Sequence, residues 1–108
     1  MNSGSSANLL MLYCLIEIKK LKRGDTVVVP AVSWATDLSP VVQLGLNPVL
    51  CDCNLQDLSI DLDHFESICK EQKPSALILV SVLGLVPEMD KIVEICKKYN
   101  VLLLEDAC

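Results

Sequence analysis

The sequence has one histidine, no excess of basic residues and no apolar run long enough to cross a bilayer. Each shortage excludes something. A Ser-His-Asp or Cys-His catalytic set would need His64 beside a nucleophile, and nothing in the sequence places it there. His64 lies in the polar opening of a predicted helix, where a solvated side chain is the simpler reading. Basic residues number 9 against 14 acidic ones, for a net charge of −5. A protein that grips a nucleic-acid backbone needs a basic face. The one basic cluster, Lys19, Lys20, Lys22 and Arg23, reads as the solvated end of a helix, so no nucleic-acid partner is expected. The apolar run Leu9 to Ile18 is broken only by Glu17 and falls far short of the ~20 residues that span a membrane. No positive residues precede it and no small-residue cleavage site follows, so it does not read as a secretory signal. No membrane association is expected. Repeats, low-complexity tracts and linkers are absent, and neither a G-x-x-x-x-G-K nor a G-x-G-x-x-G loop occurs.

What is present is apolar. Hydrophobic residues make up 52% of the 108 positions and charged residues 21%. That is too apolar for a disordered chain. It is also rich for a small free-standing domain, whose surface should be polar, and it implies apolar surface covered by something outside these residues. The six cysteines stand at 14, 51, 53, 69, 96 and 108, mostly within apolar runs. Cys51 and Cys53 would share a face of a strand, but zinc sites need a second ligand pair that is missing here. Reduced structural thiols in a cytoplasmic protein are the expectation, with no metal site.

The organisation is alternation. Ser6 to Lys22 reads as a helix without internal Gly or Pro, its first part apolar nearly all round and therefore buried. Lysines fill its last turn and Gly24 stops it. Thr26 to Pro30 is a buried strand. Ala35 to Leu44 reads as a helix with Pro40 in its first turn, closed by Gly45. Pro48 to Asp52 is the next strand. Leu62 to Glu71 is a helix capped by Asp61. Ala76 to Val80 is a third strand. Glu88 to Lys98 is an amphipathic helix with Met89, Ile92, Val93 and Cys96 at helical spacing. Val101 to Leu104 is a fourth strand, ending in Glu105 and Asp106. Continuous apolar strands separated by helices give an α/β fold, a parallel sheet covered on both faces. Ligands of such sheets gather at the carboxyl ends of the strands, here Pro30 to Trp34, Asp52 to Asn54, Ser81 to Gly84, and Glu105-Asp106.

Three features at those ends carry chemistry. The small-residue stretch Asn2-Ser-Gly-Ser-Ser-Ala7 opens the first helix, where free N–H groups and hydroxyls suit a phosphate; helix capping by Ser3, Ser5 or Ser6 is the alternative. Trp34, the only tryptophan, follows a strand and offers a flat ring for stacking, or else a core or interface aromatic. Thr36 and Asp37 are placed to cap the next helix. Asp106 ends an all-apolar strand, where a carboxylate must be solvated or paired. Together they describe a site for a flat, phosphorylated, cationic heterocycle, and pyridoxal 5'-phosphate fits that description. Glu105 alternates to the other face and reads as structural.

The order of motifs resembles the DegT/DnrJ/EryC1/StrS family of sugar aminotransferases, fold-type I enzymes that use pyridoxal phosphate. The resemblance runs through Asn2-Ser-Gly-Ser-Ser-Ala-Asn8, Arg23-Gly-Asp25, Ser33-Trp-Ala-Thr36, Gly45-x-x-Pro48-Val49, Asp52, Ile60-Asp61, Gly84, Met89-Asp90 and Glu105-Asp-Ala107. It implies that residues 1–108 form an incomplete cofactor-binding large domain. It implies that Ser5 and Ser6 hold the cofactor phosphate, that Trp34 stacks on the pyridine ring, and that Asp106 pairs with the ring nitrogen. The implied activity of the parent enzyme is transfer of an amino group, usually from glutamate, to a nucleotide-linked keto-sugar, in a homodimer. A nucleotide-sugar 3-dehydratase of the same family is the alternative, because Asn2 to Asn8 resembles that branch. Ser81 stands where the family usually has a histidine. The family's cofactor-holding lysine falls beyond Cys108, so no catalytic residue is assigned within the chain. A non-catalytic truncated fragment and a nucleotide-binding α/β module are the remaining readings.

Overall fold

The computed structural model describes residues 1–108. Four parallel strands, β1 (Thr26–Pro30), β2 (Asn47–Cys51), β3 (Ala76–Val80) and β4 (Leu102–Asp106), lie in the order β2-β1-β3-β4. Four helices connect or precede them: α1 (Gly4–Glu17), α2 (Ala35–Gln43), α3 (Leu62–Gln72) and α4 (Met89–Tyr99). A short 3-10 turn, Val82–Gly84, follows β3. The parallel α/β architecture expected from the sequence is therefore what forms.

Alternation along the strands sorts the core into two layers. Val28, Leu77 and Leu79 face Phe65, Ile68, Cys69, Ile92 and Cys96 of α3 and α4. Val27, Val29, Ala76, Ile78 and Val80 face Leu12 of α1 and Val41 of α2. Neighbouring residues of one strand thus serve opposite layers, which is why β1 and β3 are apolar throughout. The order reverses between β1 and β3, since β1 leads outward to β2 and the chain then returns to β3. In folds of this kind the carboxyl edge of the sheet at such a reversal is the place where ligands bind.

Three expectations need correction. The first helix runs Gly4–Glu17 and does not reach the lysines. Lys19 takes a left-handed φ of 59°, and the N–H groups of Lys19 and Lys20 close on the carbonyls of Ile16 and Leu15. This is a Schellman stop, so Gly24 belongs to a later turn. Nor is α1 buried all round: only Asn8 and Leu12 are buried, while Leu9, Leu10 and Tyr13 are exposed. The sheet and α2 cover one face, and no element of the chain covers the other. Finally, Pro40 sits in the second turn of α2 and not the first. A proline there removes the N–H that would serve the carbonyl of Thr36, four residues back. The remaining boundaries shift by one or two residues, as helix and strand ends do.

Cys51, Cys69 and Cys96 are buried in the α3–α4 layer, and all six cysteines are free thiols. Burial pushes the Cys51 thiol up to about 12 and those of Cys69 and Cys96 up to about 11. They pack as small hydrophobes and stay protonated at neutral pH.

Helix α3 ends on Lys73 with φ 48° and ψ 60°. A side chain in that left-handed conformation costs about 1–2 kcal/mol. Glycine escapes that cost but adds about 0.5–1 kcal/mol of chain entropy on folding. Lys73→Gly is therefore expected to raise stability by about 0.5–1 kcal/mol, read from the midpoint of urea unfolding at unchanged slope.

Candidate functional site

The first turn of α1 is capped by Ser3, whose hydroxyl accepts the Ser6 N–H at 3.2 Å. The Ser6 hydroxyl donates to Asn2 Oδ1 at 2.8 Å and lies 3.1 Å from Ser3 Oγ. Ser6 is thus tied into the cap. Ser5 is exposed, and the N–H groups of Gly4 and Ser5 meet no backbone acceptor. These open donors stand at the positive end of the helix dipole. Gly4 lies close to the chain end: a Cβ on it would meet Cys108 Sγ at 3.3 Å. The N-terminus of α1 therefore lies against the chain just beyond β4.

Trp34 is the N-cap residue of α2 and is 64% exposed, so its ring is open to a ligand. The Asp37 N–H returns to the Trp34 carbonyl at 3.0 Å. Asp37 Oδ2 accepts the Trp34 N–H at 3.1 Å. Asp37 does cap this helix, but its carboxylate does more. It is wholly buried, and its Oδ1 accepts from Asn8 Nδ2 at 3.2 Å.

Asn8 is the residue that sequence reasoning did not assign. It sits one turn into α1, only 5% exposed, and its amide nitrogen faces three acceptors. Besides Asp37 these are Asp106 Oδ2 at 2.8 Å and the Thr36 carbonyl at 3.4 Å. The Thr36 carbonyl is the one that Pro40 leaves without a helical donor. Asp106 Oδ1 accepts the Cys108 N–H at 3.1 Å. Through Asn8 and Asp37, the first helix, the Trp34 turn and the end of β4 are joined by side chains. An amide in an otherwise apolar stretch of a predicted buried helix was the available signal, since a buried amide must find partners.

The other candidate positions lie elsewhere or serve the backbone. Ser81 follows β3, and its N–H donates to the Asp106 carbonyl at 3.2 Å. Glu105 is exposed. His64 is exposed and accepts the Asp52 N–H on Nδ1 at 3.0 Å, just beyond β2, which is the opposite edge of the sheet from β4 and Asp106. No helix is long and apolar enough to cross a membrane.

A model of the DegT/DnrJ/EryC1/StrS aminotransferase family matches residues 1–108. The GDP-4-keto-6-deoxy-D-mannose 3-dehydratase of Yersinia pseudotuberculosis is 44% identical over 109 residues, covering 99% of this chain and 28% of that protein. Among solved structures, the Escherichia coli GDP-4-keto-6-deoxy-D-mannose 3-dehydratase with bound hydrated PLP superimposes with a TM-score of 0.90 at 37% identity. That match covers 98% of this chain and 28% of that one. NtdA of Bacillus subtilis with bound PMP gives a TM-score of 0.86 at 30% identity, over 98% of this chain and 23% of that one. The chain thus spans about a quarter of the length of the curated relatives it matches.

The two carboxyl groups of the site are set apart electrostatically. Burial pushes the Asp37 carboxyl up to about 6; the Trp34 N–H opposes this, and the neighbouring Asp106 adds to it. The Asn8 amide, helped by the Cys108 N–H, holds Asp106 below the usual carboxylate range against some desolvation. The signs are opposite. Asp37 binds its proton more tightly when folded, so its contribution is full below the ordinary value of 3.8 and is lost as pH rises through about 6. Asp106 contributes above its ordinary value and loses that contribution as pH falls through its lower native one. Each pH unit of displacement is worth about 1.4 kcal/mol. Asp37→Asn is expected to remove a fall in stability between 3.8 and about 6, measured by urea unfolding across that range. A variant whose stability falls as steeply as the parent's would contradict the assignment.

Proposed function

The chain belongs to the DegT/DnrJ/EryC1/StrS aminotransferase family, whose members depend on pyridoxal phosphate, and from that premise we propose that it forms the cofactor-binding core of a nucleotide-sugar 3-dehydratase. The observation that carries this reading is the Asn8–Asp37 link, which gathers the open first turn of α1, Trp34 and Asp106 at the carboxyl edge of the sheet. The residues fit the cofactor on the chemistry of this cluster. An ionised carboxylate, an exposed indole and unpartnered helix N–H groups match a cationic ring, its flat face and a phosphate.

In this reading the Gly4 and Ser5 N–H groups and the Ser5 hydroxyl take the phosphate. Ser6 supports them by fixing the cap. Trp34 lies against the ring, and Asp106 keeps a proton on the ring nitrogen. The cofactor, when bound, supplies the electron sink for bond breaking next to a carbonyl-derived carbon. Asn8 and Asp37 hold the walls of the site in place and keep its acidic end ordered.

Dehydration is preferred over transamination because the more similar relatives carry dehydratase names. The substrate class then is a nucleoside-diphosphate 4-keto-6-deoxy sugar, as in the Yersinia and Escherichia coli proteins.

Trp34 is the only tryptophan, so its fluorescence reports on the site alone. Pyridoxal phosphate or pyridoxamine phosphate is expected to quench it saturably, and Asp106→Ala to weaken that binding about tenfold or more, the worth of a charged hydrogen bond. Absence of quenching in the parent protein would overturn the cofactor assignment. In a protein that holds this segment within a chain of the relatives' length, GDP-4-keto-6-deoxymannose, glutamate and cofactor are expected to give a 3-deoxy sugar, read by NMR; an amino sugar would establish transamination instead.

A further inference from the structure

Asn8 is not among the residues that the proposed function has touching the cofactor, yet its buried amide is tightly constrained. Its amide nitrogen carries two hydrogens and faces three oxygens, on Thr36, Asp37 and Asp106. Turning the amide over would set its own oxygen against two carboxylates and a carbonyl, so the orientation is determined by its surroundings. The Thr36 carbonyl is available only because Pro40 has no N–H to give it. The Asp37 carboxylate is itself held on its other oxygen by the Trp34 N–H. The other partners of Asp106 are the Cys108 N–H, which takes its other oxygen, and the Asp37 carboxyl, which donates to it when protonated; no cation of the chain pairs with it.

We propose that Asn8 is a positioning residue that fixes the rotamer and the charge of Asp106, with Pro40 and Asp37 holding the Asn8 amide in register. The role toward a cofactor ring rests on the function proposed above; the hold on Asp106 stands without it. A helix that carries the anion-binding first turn at its tip and the Asp106 clamp one turn further in sets the distance between the two ends of the site. Displacing α1 would disturb both ends together.

The test uses Asn8→Leu, which replaces the donor with an apolar group of similar size, and Asn8→Ala, which removes it with less crowding. Leu15→Ala, on the same helix and packed against the same core layer, is the control for general loosening. Circular dichroism selects the variants that fold. Carbon-13 NMR of the Asp106 carboxyl across pH is then read in the cofactor-free protein, and pyridoxamine phosphate affinity from Trp34 fluorescence. The expected result is that either Asn8 variant moves the Asp106 titration up toward the ordinary carboxylate value and weakens pyridoxamine phosphate about tenfold, while Leu15→Ala does neither. An Asp106 titration unmoved in the Asn8 variants, or moved equally by Leu15→Ala, overturns the proposal. If the parent protein does not bind pyridoxamine phosphate, the proposed function fails, and the NMR titration alone decides the role of Asn8.

Discussion

A single buried amide, donated from the first helix to the last strand, is the constraint on which the candidate site depends. Asn8 Nδ2 lies 2.8 Å from Asp106 Oδ2 and 3.2 Å from Asp37 Oδ1. Remove it, and the two carboxyl groups at the sheet edge face each other with only a proton on Asp37 as the donor between them. A hydrogen bond to a charged group contributes roughly 1.5–3 kcal/mol, and an unpartnered buried carboxylate costs more. The arrangement is therefore cooperative: the Trp34 turn, the α1 cap and the end of β4 adopt their places together. Their shared feature is that each supplies a polar group to one network centred on the buried Asn8 amide.

The sheet provides the rigid frame for that network. Its two apolar layers hold β1 and β3 at the centre, and Trp34 and Asp106 stand at the carboxyl edge of the sheet, where the strand order reverses. The buried thiols belong to the layer on the opposite face, with titrations pushed far above neutrality. Structural cysteine and candidate chemistry are thus separated by the thickness of the sheet. The outer face of α1 is another matter. Leu9, Leu10 and Tyr13 remain exposed there, as do Leu83 and Val86 beyond β3. Part of the apolar excess of the composition is located on these surfaces.

Pro40 illustrates how a local defect acquires a use. In a helix interior a proline is expected to cost about 3 kcal/mol relative to alanine. Part of that cost is an orphaned carbonyl, and here the orphan is Thr36, which Asn8 approaches. Reading the sequence locally, the proline belongs in the first turn, where it would be harmless. The tertiary structure places it one turn later because Trp34 already caps the helix at the strand exit and the Asp37 carboxylate is committed to Trp34 and Asn8.

Much of this molecule was legible in order along the chain. The four strands, the four helices, the Asp61 cap and the parallel α/β class follow from hydrophobic period and stop signals, which act over a few residues and need no knowledge of distant partners. Ser5, Trp34 and Asp106 were legible as candidates because strand ends and helix starts are local events. What only the tertiary structure decided is which of them share a site and what joins them. Asn8 and Asp106 stand 98 positions apart, and Asn8 and Asp37 stand 29 apart. No periodicity links such positions. Their hydrogen bonds exist because packing α1 and α2 on one face of the sheet brings an amide, a carbonyl and two carboxyl groups together and cuts Asn8 and Asp37 off from solvent, so that these two are satisfied by their neighbours.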